Sequence, residues 1–155
     1  MSNIVVSPHY LSTNAGIEIL QNGGNAIDAA IGTNIVQGVV APETCGIGGD
    51  LFSLIWINGE STPYCLDSSG YAGSNVDISE LSTQESIPLD HPMSVTVPGA
   101  VKGWFSMHDR FGKLSIDDIF SHAIKICYEG FKVSTELYHS LSFHKDTLIK
   151  QESGN

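Results

Sequence analysis

Hydrophobic and polar positions change their spacing several times along the chain of 155 residues, and each spacing predicts a different element. Apolar side chains recur at helical intervals over residues 10–20, which predicts a helix that ends in a left-handed cap at Gly23. The segment of residues 26–40 is apolar around most of its circumference, as is typical of a helix buried on most sides. Asn25, followed three residues later by Asp28, predicts the N-cap of this second helix.

Shorter apolar runs predict strands on either side of these helices. Residues 4–6 are apolar and end at a Ser-Pro pair, which predicts a short buried strand. Residues 51–58 form an almost continuous apolar run, the next residues carry turn chemistry, and residues 63–67 can return as a second strand. These features predict a β-hairpin. Residues 68–92 are polar and rich in Ser, Asp and Pro, which predicts irregular surface.

The C-terminal third of the chain predicts three helices. The first covers residues 100–110, the second begins after the N-cap Ser115 and ends near Gly130, and the third covers residues 135–149. A hairpin combined with several helices predicts an α+β fold in which a sheet is covered by helices. The chain is long enough for one domain with a hydrophobic core.

Charge restricts the possible partners of this chain. Seven basic and 17 acidic residues give a formal net charge of -10, which disfavours nucleic acids and anionic membranes as partners. No Lys or Arg precedes Lys102. The apolar run over residues 26–41 is too short to span a bilayer, and no secretory signal is visible at the N-terminus, so we expect a cytoplasmic protein.

The residues capable of metal or thiol chemistry form no recognised site. The six histidines show no metal-ligand spacing, so neither a metal nor another cofactor is predicted. The run from Cys45 to Asp50 is rich in glycine but lacks the Lys-Ser/Thr of a phosphate-binding loop, and a turn packed tightly against the sheet explains its glycines better. Three cysteines without metal spacing predict buried or reduced thiols, namely Cys45, Cys65 and Cys127.

Four segments, taken in order, resemble a known family. Residues 23–52 read GGNAIDAAIGTNIVQGVVAPETCGIGGDLF, residues 97–103 read VPGAVKG, residues 111–114 read FGKL, and residues 123–133 include the sequence EGF. This order is similar to the N-terminal part of the large subunit of γ-glutamyltranspeptidases. The resemblance implies part of the αββα four-layer sandwich of N-terminal-nucleophile hydrolases, to which this chain supplies a helical layer and some strands. Residues 1–155 are then a single partial domain.

The resemblance also implies an activity. Enzymes of this class attack an acyl group with an N-terminal Thr, Ser or Cys that autocleavage releases. In γ-glutamyltranspeptidases a Thr in a T-x-T-H-like motif far downstream has this role, and Thr33, Thr62 and Thr96 do not match that motif. We therefore expect no catalytic residue here and no activity from this chain alone. The implied partners are the remainder of the large subunit, the small subunit, and a small γ-glutamyl or other acyl amide substrate.

A substrate-binding segment can be aligned with the family as well. Many members have an Arg after the hairpin that pairs with the α-carboxylate of the γ-glutamyl group. Here residues 66–73 read LDSSGYAG, and either Ser69 or Tyr71 falls where the Arg would be. The S-G-x-A pattern of residues 69–72 is closer to a divergent γ-glutamyltranspeptidase-like branch of the family. Ser68, Ser69 and Tyr71 are the predicted substrate-binding residues, since hydroxyl groups can replace a cation as donors. A polar turn closing the hairpin is the alternative.

Two other functions stay open at the level of the sequence. One is an acylase-type relative with a donor other than γ-glutamyl, which the missing Arg favours. The other is a non-catalytic remnant or protein-interaction domain, since the later segments of the family are absent from the 155 residues.

Overall fold

The computed structural model describes residues 3–83, 85–87 and 91–150, apart from the side chain of Glu80. Its residues divide into two compact units, one built from the residues up to Gly46 together with those from Lys113 onward, and the other from Ile47–Gly112. The assignment of residues 1–155 to one partial domain stays a prediction. In chain order the elements are α1 (Tyr10–Gln21), α2 (Ala26–Val40), β1 (Leu51–Ile55), β2 (Tyr64–Ser68), α3 (Ile78–Leu81), α4 (Ala100–Phe111), α5 (Ile116–Glu129) and α6 (Thr135–Lys150).

The first unit consists of helices α1, α2, α5 and α6, and each of them was predicted from the sequence. Helix α2 lies at its centre and packs against both α1 and α5. Most of its circumference is buried, as its continuous apolar pattern indicated. Its buried apolar residues are Ile27, Ala29, Ile31, Ile35, Val36 and Val40.

Local backbone chemistry determines where α1 ends and α2 begins. Gly23 has a φ of 92°, and the amides of Gly23 and Gly24 donate to the carbonyls of Leu20 and Ile19, which closes the end of α1. The Asn25 side chain accepts hydrogen bonds from the first turn of α2, and the N-cap prediction is confirmed. Because these contacts are local, they can be read directly from the sequence.

Asp28 performs a second task that joins distant parts of the first unit. Its carboxylate completes the capping box by accepting the Asn25 amide at 2.9 Å. It also accepts the amides of Lys113 at 3.0 Å and Leu114 at 3.3 Å. The side chain is fully buried. One carboxylate therefore fixes the start of α2 against the segment that leads into α5.

The second unit contains the predicted hairpin. Strands β1 and β2 pair antiparallel, with Leu51 opposite Ser68 and Ile55 opposite Tyr64. Gly59 turns the chain between them with a φ of 90°, a value that favours glycine. Helix α4 packs against both strands. Its Gly103 lies so close to Leu51 that an added Cβ would sit 2.5 Å from the leucine Cδ2.

One face of β1 remains uncovered although its side chains are apolar. Ile55 is buried on the inner face, whereas Phe52, Leu54 and Trp56 are 66%, 77% and 63% exposed. A strand that is apolar on both faces is typical of a sheet covered on both sides. Within the part of the chain that the structure describes, the outer face of this hairpin lies open to solvent.

The prediction of a buried strand at residues 4–6 is wrong. Ile4 and Val6 are 82% and 86% exposed, and no ladder is formed over residues 3–8. An extended segment becomes a strand only when a neighbouring strand takes up its backbone hydrogen bonds, and β1 and β2 pair with each other instead. Hydrophobicity alone could not indicate whether that neighbour is present.

The segment of residues 68–92 is mainly irregular where the structure describes it, as expected, with the single turn of α3 inside it and a 3₁₀ turn, Pro92–Ser94, beginning at its last residue. The helices and the two-stranded sheet together confirm the α+β class. Among the described residues, no helix combines the length and the hydrophobicity that crossing a membrane requires.

Candidate functional site

The predicted substrate-binding residues lie in the loop of residues 67–71, called loop 67–71 below, at the end of β2. Ser68 is the last residue of β2 and is half-buried. Its hydroxyl donates to the Gly99 carbonyl at 2.8 Å. This bond attaches the end of the hairpin to the turn that precedes α4.

Asp67 organises the next residue of the loop. Its carboxylate accepts the Ser69 hydroxyl and, at 2.9 Å, the Ser69 amide. These two donors hold the pKa of Asp67 below its usual value, because they stabilise the ionised form. Asp67 is therefore ionised at neutral pH, and the donors of Ser69 point towards it.

Asp50 holds the other side of the loop. Its Oδ1 accepts the Gly70 amide at 2.9 Å and the Thr96 hydroxyl at 3.1 Å. The carbonyl of the preceding Gly49 accepts the amides of Gly99 and Ala100, at 3.1 and 3.0 Å, at the start of α4. Two neighbouring residues before β1 thus connect loop 67–71 with residues 96–100.

Two glycines allow the backbones of these segments to touch. A Cβ on Gly70 would lie 1.7 Å from the Val97 carbonyl oxygen, and one on Gly99 would lie 2.0 Å from the Ser68 carbonyl oxygen. Backbone atoms cannot rotate away as a side chain can, so a larger residue at either position must displace the loop. The close approach accounts for glycine at both positions.

Tyr71 differs from the two serines. Its carbonyl accepts the Val97 amide at 2.9 Å, but its side chain is 87% exposed. The structure therefore brings Ser68, Ser69 and Tyr71 onto one loop while turning their side chains to different surroundings. Their role in substrate binding stays a prediction.

The sequence did not identify Asp50 as part of this site, because it stands there only as the last residue of the glycine-rich run 45–50. The hairpin register offers a signal that could have identified it. Because Leu51 pairs with Ser68, the residue before β1 must lie beside the residues that follow β2. A carboxylate at that position is well placed to accept the amides of loop 67–71.

The explanation offered for the glycines before Asp50 is wrong for two of them. A Cβ added to Gly46 or Gly48 would find no atom within 4 Å. Packing inside the structure therefore does not require glycine at these positions. The prediction of buried or reduced thiols agrees with the structure in its second alternative, because all three thiols are free, while Cys65 and Cys127 are exposed and Cys45 is half-buried.

Thr33 and Thr96 lie in different parts of the fold. Thr33 lies in α2 with its hydroxyl buried and without a hydrogen-bond partner, and Thr96 donates to Asp50. Thr33 also lines a cavity of about 720 Å³ between α2 and residues 3–8. Over the described ranges, no three His, Cys, Asp or Glu side chains are grouped so that they could hold a metal ion.

Comparisons with known proteins agree on one family. This is the γ-glutamyltranspeptidase family, whose sequence profile matches residues 12–154 of the chain. The glutathione hydrolase-like YwrD proenzyme of Bacillus subtilis (strain 168) is 37% identical over 134 residues, which are 86% of this chain and 26% of that protein. The chain spans about a quarter of the length of the curated relatives it matches.

Solved structures show the same fold. The γ-glutamyltranspeptidase of Helicobacter pylori superposes with a TM-score of 0.89 at 26% identity, covering 99% of this chain and 45% of that one. The cephalosporin acylase of Bacillus halodurans gives a TM-score of 0.80 at 28% identity, covering 96% and 31%. The predicted fold, part of an N-terminal-nucleophile hydrolase, is confirmed. The chain belongs to the γ-glutamyltranspeptidase family, whose members are hydrolases and transferases.

Proposed function

We propose that this chain is the N-terminal portion of the large subunit of a γ-glutamyltranspeptidase-like proenzyme. The observation that carries the proposal is the family match over residues 12–154, combined with coverage of about a quarter of the curated relatives. The intact protein cleaves itself and then transfers or hydrolyses a γ-glutamyl or related acyl group. Its partners are the remainder of the large subunit and the small subunit of the same precursor.

The chemistry resides on a Thr outside this chain. The α-amine of that Thr removes the proton from its hydroxyl, the oxygen attacks the acyl carbon, and the C–N bond of the donor breaks as the leaving amine takes the proton. Water or an acceptor amine then cleaves the ester, and an oxyanion hole stabilises each tetrahedral intermediate. The portion described here supplies scaffold, and we expect it to be inactive alone.

Loop 67–71 forms one wall of the donor pocket in this proposal. Two hydrogen bonds support a loop with a fixed conformation: the Ser68 hydroxyl donates to the Gly99 carbonyl, and the Gly70 amide donates to the Asp50 carboxylate. A loop held at both ends by side-chain bonds presents the same groups to each substrate. Ser68, Ser69 and Tyr71 are the residues that we assign to the pocket wall.

The uncovered face of β1 supports the assignment to a larger protein. Phe52, Leu54 and Trp56 are apolar and exposed, and burying each of them would stabilise a larger assembly by roughly 1.5–3 kcal/mol. In the proposal, the rest of the polypeptide covers this face. The same reasoning explains why residues 4–6 are apolar although no described strand pairs with them.

The test is to express the complete open reading frame and to follow self-cleavage by mass spectrometry. We expect two fragments, the smaller beginning with Thr, and hydrolysis of an acyl p-nitroanilide by the cleaved protein. Replacing that Thr by Ala should abolish both, and residues 1–155 alone should show neither. A stop codon directly after Asn155, with no partner gene for the remainder, would refute the enzymatic proposal and favour the non-catalytic alternative.

An acylase-type activity is the second candidate, and one observation favours it. No Lys or Arg precedes Lys102, so residues 1–101 provide no cation for an α-carboxylate. A structural relative, at 28% identity, is named a cephalosporin acylase. Turnover of acyl amides but not of γ-glutamyl amides by the cleaved protein would identify this alternative.

A further inference from the structure

The chain contains two Asn-Gly pairs, and the structure places them in different local surroundings. Asn58-Gly59 lies in the connection between β1 and β2, and Asn22-Gly23 lies at the end of α1. Both asparagines and both glycines are exposed. Both glycines also have a positive φ, 90° for Gly59 and 92° for Gly23. The two pairs therefore differ chiefly in the hydrogen bonds that their backbones make.

The Gly59 amide is not held by a hydrogen bond. The Glu60 amide donates to the Ile57 carbonyl at 3.1 Å, and Asn58 does not have a positive φ, so residues 57–60 form a type II turn with Gly59 at its third position. The bond that closes such a turn uses the amide of the fourth residue. Within the described residues, the Gly59 amide donates to no acceptor. A Cβ added to Gly59 would meet no atom within 4 Å, so the turn has space around it.

The Gly23 amide, by contrast, is part of the closed end of α1. It donates to the Leu20 carbonyl at 3.2 Å, and the Gly24 amide donates to the Ile19 carbonyl at 3.0 Å. These bonds satisfy carbonyl groups that have no partner inside the helix. The end of α1 must therefore open before the Gly23 nitrogen can lose its proton and turn towards the Asn22 side chain.

We propose that Asn58 is a site of spontaneous deamidation in the folded protein, through a succinimide formed with Gly59. The Gly59 nitrogen loses its proton and attacks Cγ of Asn58, the Cγ–Nδ2 bond breaks, and the side-chain nitrogen leaves as ammonia. Water then opens the ring at either of its carbonyl carbons, which gives aspartate or isoaspartate at position 58. Water is the only co-reactant. Glycine favours the reaction because no Cβ obstructs the approach of its nitrogen.

Both products change the turn of the hairpin. Each adds a negative charge beside Glu60, and isoaspartate also inserts one carbon atom into the main chain. The extra atom changes the spacing between the Ile57 carbonyl and the Glu60 amide, whose hydrogen bond closes the turn. This end of the hairpin is the one where Ile55 pairs with Tyr64, whereas loop 67–71 follows the opposite end. The modification is therefore separate from the candidate site and requires neither self-cleavage nor acyl transfer.

The test follows both Asn-Gly pairs in one sample of the full-length protein, incubated at neutral pH. Chymotrypsin is the protease to use, because no Lys or Arg precedes Lys102 for trypsin to recognise. Mass spectrometry detects peptides that are heavier by the difference between water and ammonia, and chromatography separates their aspartyl and isoaspartyl forms. We expect Asn58 to react roughly tenfold faster than Asn22, the factor that corresponds to breaking the hydrogen bonds at the end of α1. In guanidinium chloride the two rates should become similar, since neither glycine amide is then held.

Asn58→Gln and Asn22→Gln are matched variants for the same experiment. Gln keeps the side-chain amide but would have to close a larger ring, which forms more slowly. Asn58→Gln should therefore remove the main product, whereas Asn22→Gln should leave it unchanged. Equal rates at the two pairs in the folded protein, or a faster reaction at Asn22, would overturn the proposal. Aspartate at position 58 without isoaspartate would also overturn it, because that result indicates direct hydrolysis of the side chain.

Discussion

Asp28 provides the sharpest test of how the helical unit is held together. The carboxylate is fully buried and accepts the backbone amides of Asn25, Lys113 and Leu114. Replacing it by Ala removes the carboxylate that these three amides share as an acceptor. A hydrogen bond to a charged group contributes about 1.5–3 kcal/mol, and the bond to Leu114, at 3.3 Å, is long enough to count for little. The two stronger bonds predict a loss of roughly 3–6 kcal/mol in the free energy of unfolding.

A graded series separates the network from simple loss of charge. Asp28→Asn keeps one acceptor oxygen and turns an NH₂ group towards at least one backbone amide, so it should cost about half as much as Asp28→Ala. Asp118→Ala is the matched control, since this exposed acid accepts the Ser115 hydroxyl at the start of α5. It should cost less than about 1 kcal/mol.

The assay combines urea unfolding, followed by far-UV circular dichroism, with amide hydrogen exchange at Lys113 and Leu114. In Asp28→Ala the Lys113 amide should exchange clearly faster, and the Leu114 amide should change less, because its bond to the carboxylate is longer. If Asp28→Ala and Asp118→Ala lose the same stability, and exchange at the two amides is unchanged, the carboxylate does not join these segments. The reasoning from burial and bond distances would then be refuted.

Two further predictions concern packing and pH. Gly32→Ala should destabilise the protein by about 1–3 kcal/mol in urea unfolding, because the added Cβ would lie 2.1 Å from the Cδ1 of buried Ile19. Gly38→Ala in the same helix meets no atom nearer than 3.5 Å, so it should be neutral or stabilising by up to about 1 kcal/mol. A larger loss of stability in Gly38→Ala than in Gly32→Ala would contradict the packing. In a carbon-13 NMR titration the pKa of Asp67 should lie below 3.8, and Ser69→Ala should raise it. A carboxyl group whose pKa is lower in the folded than in the unfolded protein stabilises the fold at pH values above its unfolded pKa, and this stabilisation disappears as the pH falls through its folded pKa. Ser69→Ala should therefore destabilise the protein at neutral pH but not in strong acid. An unchanged pKa of Asp67 in this variant would contradict the role of the Ser69 hydroxyl.

Elements with local signals could be predicted from the sequence. The capping box of Asn25 and Asp28 and the positive φ of Gly23 depend on residues a few positions apart, so the bounds of α1 and α2 were predicted closely. The second role of Asp28 was not visible, because its partners Lys113 and Leu114 are 85 and 86 residues away. A buried carboxylate that caps a helix also has unused lone pairs, but the sequence does not indicate which amides will reach them.

The candidate site could also be predicted only in part from the sequence. Resemblance to a family placed Ser68, Ser69 and Tyr71 in a substrate-binding segment, but it said nothing of the bonds that these residues make. Asp50 lies 20 residues from Gly70 and 46 from Thr96, and their contacts exist only because the hairpin register brings them together. The chemistry of loop 67–71 is therefore a property of tertiary structure.

The structure also explains why a missing cation need not leave this loop disordered. In a pocket that binds an anion, a guanidinium would both recognise the ligand and order the surrounding loop through its several donors. Here Asp50 and Asp67 order the loop by accepting its amides and hydroxyls, so its conformation needs no ligand. A cation introduced by Ser69→Arg would lie beside Asp67 and should pair with that carboxylate, unless Asp67→Asn accompanies the change.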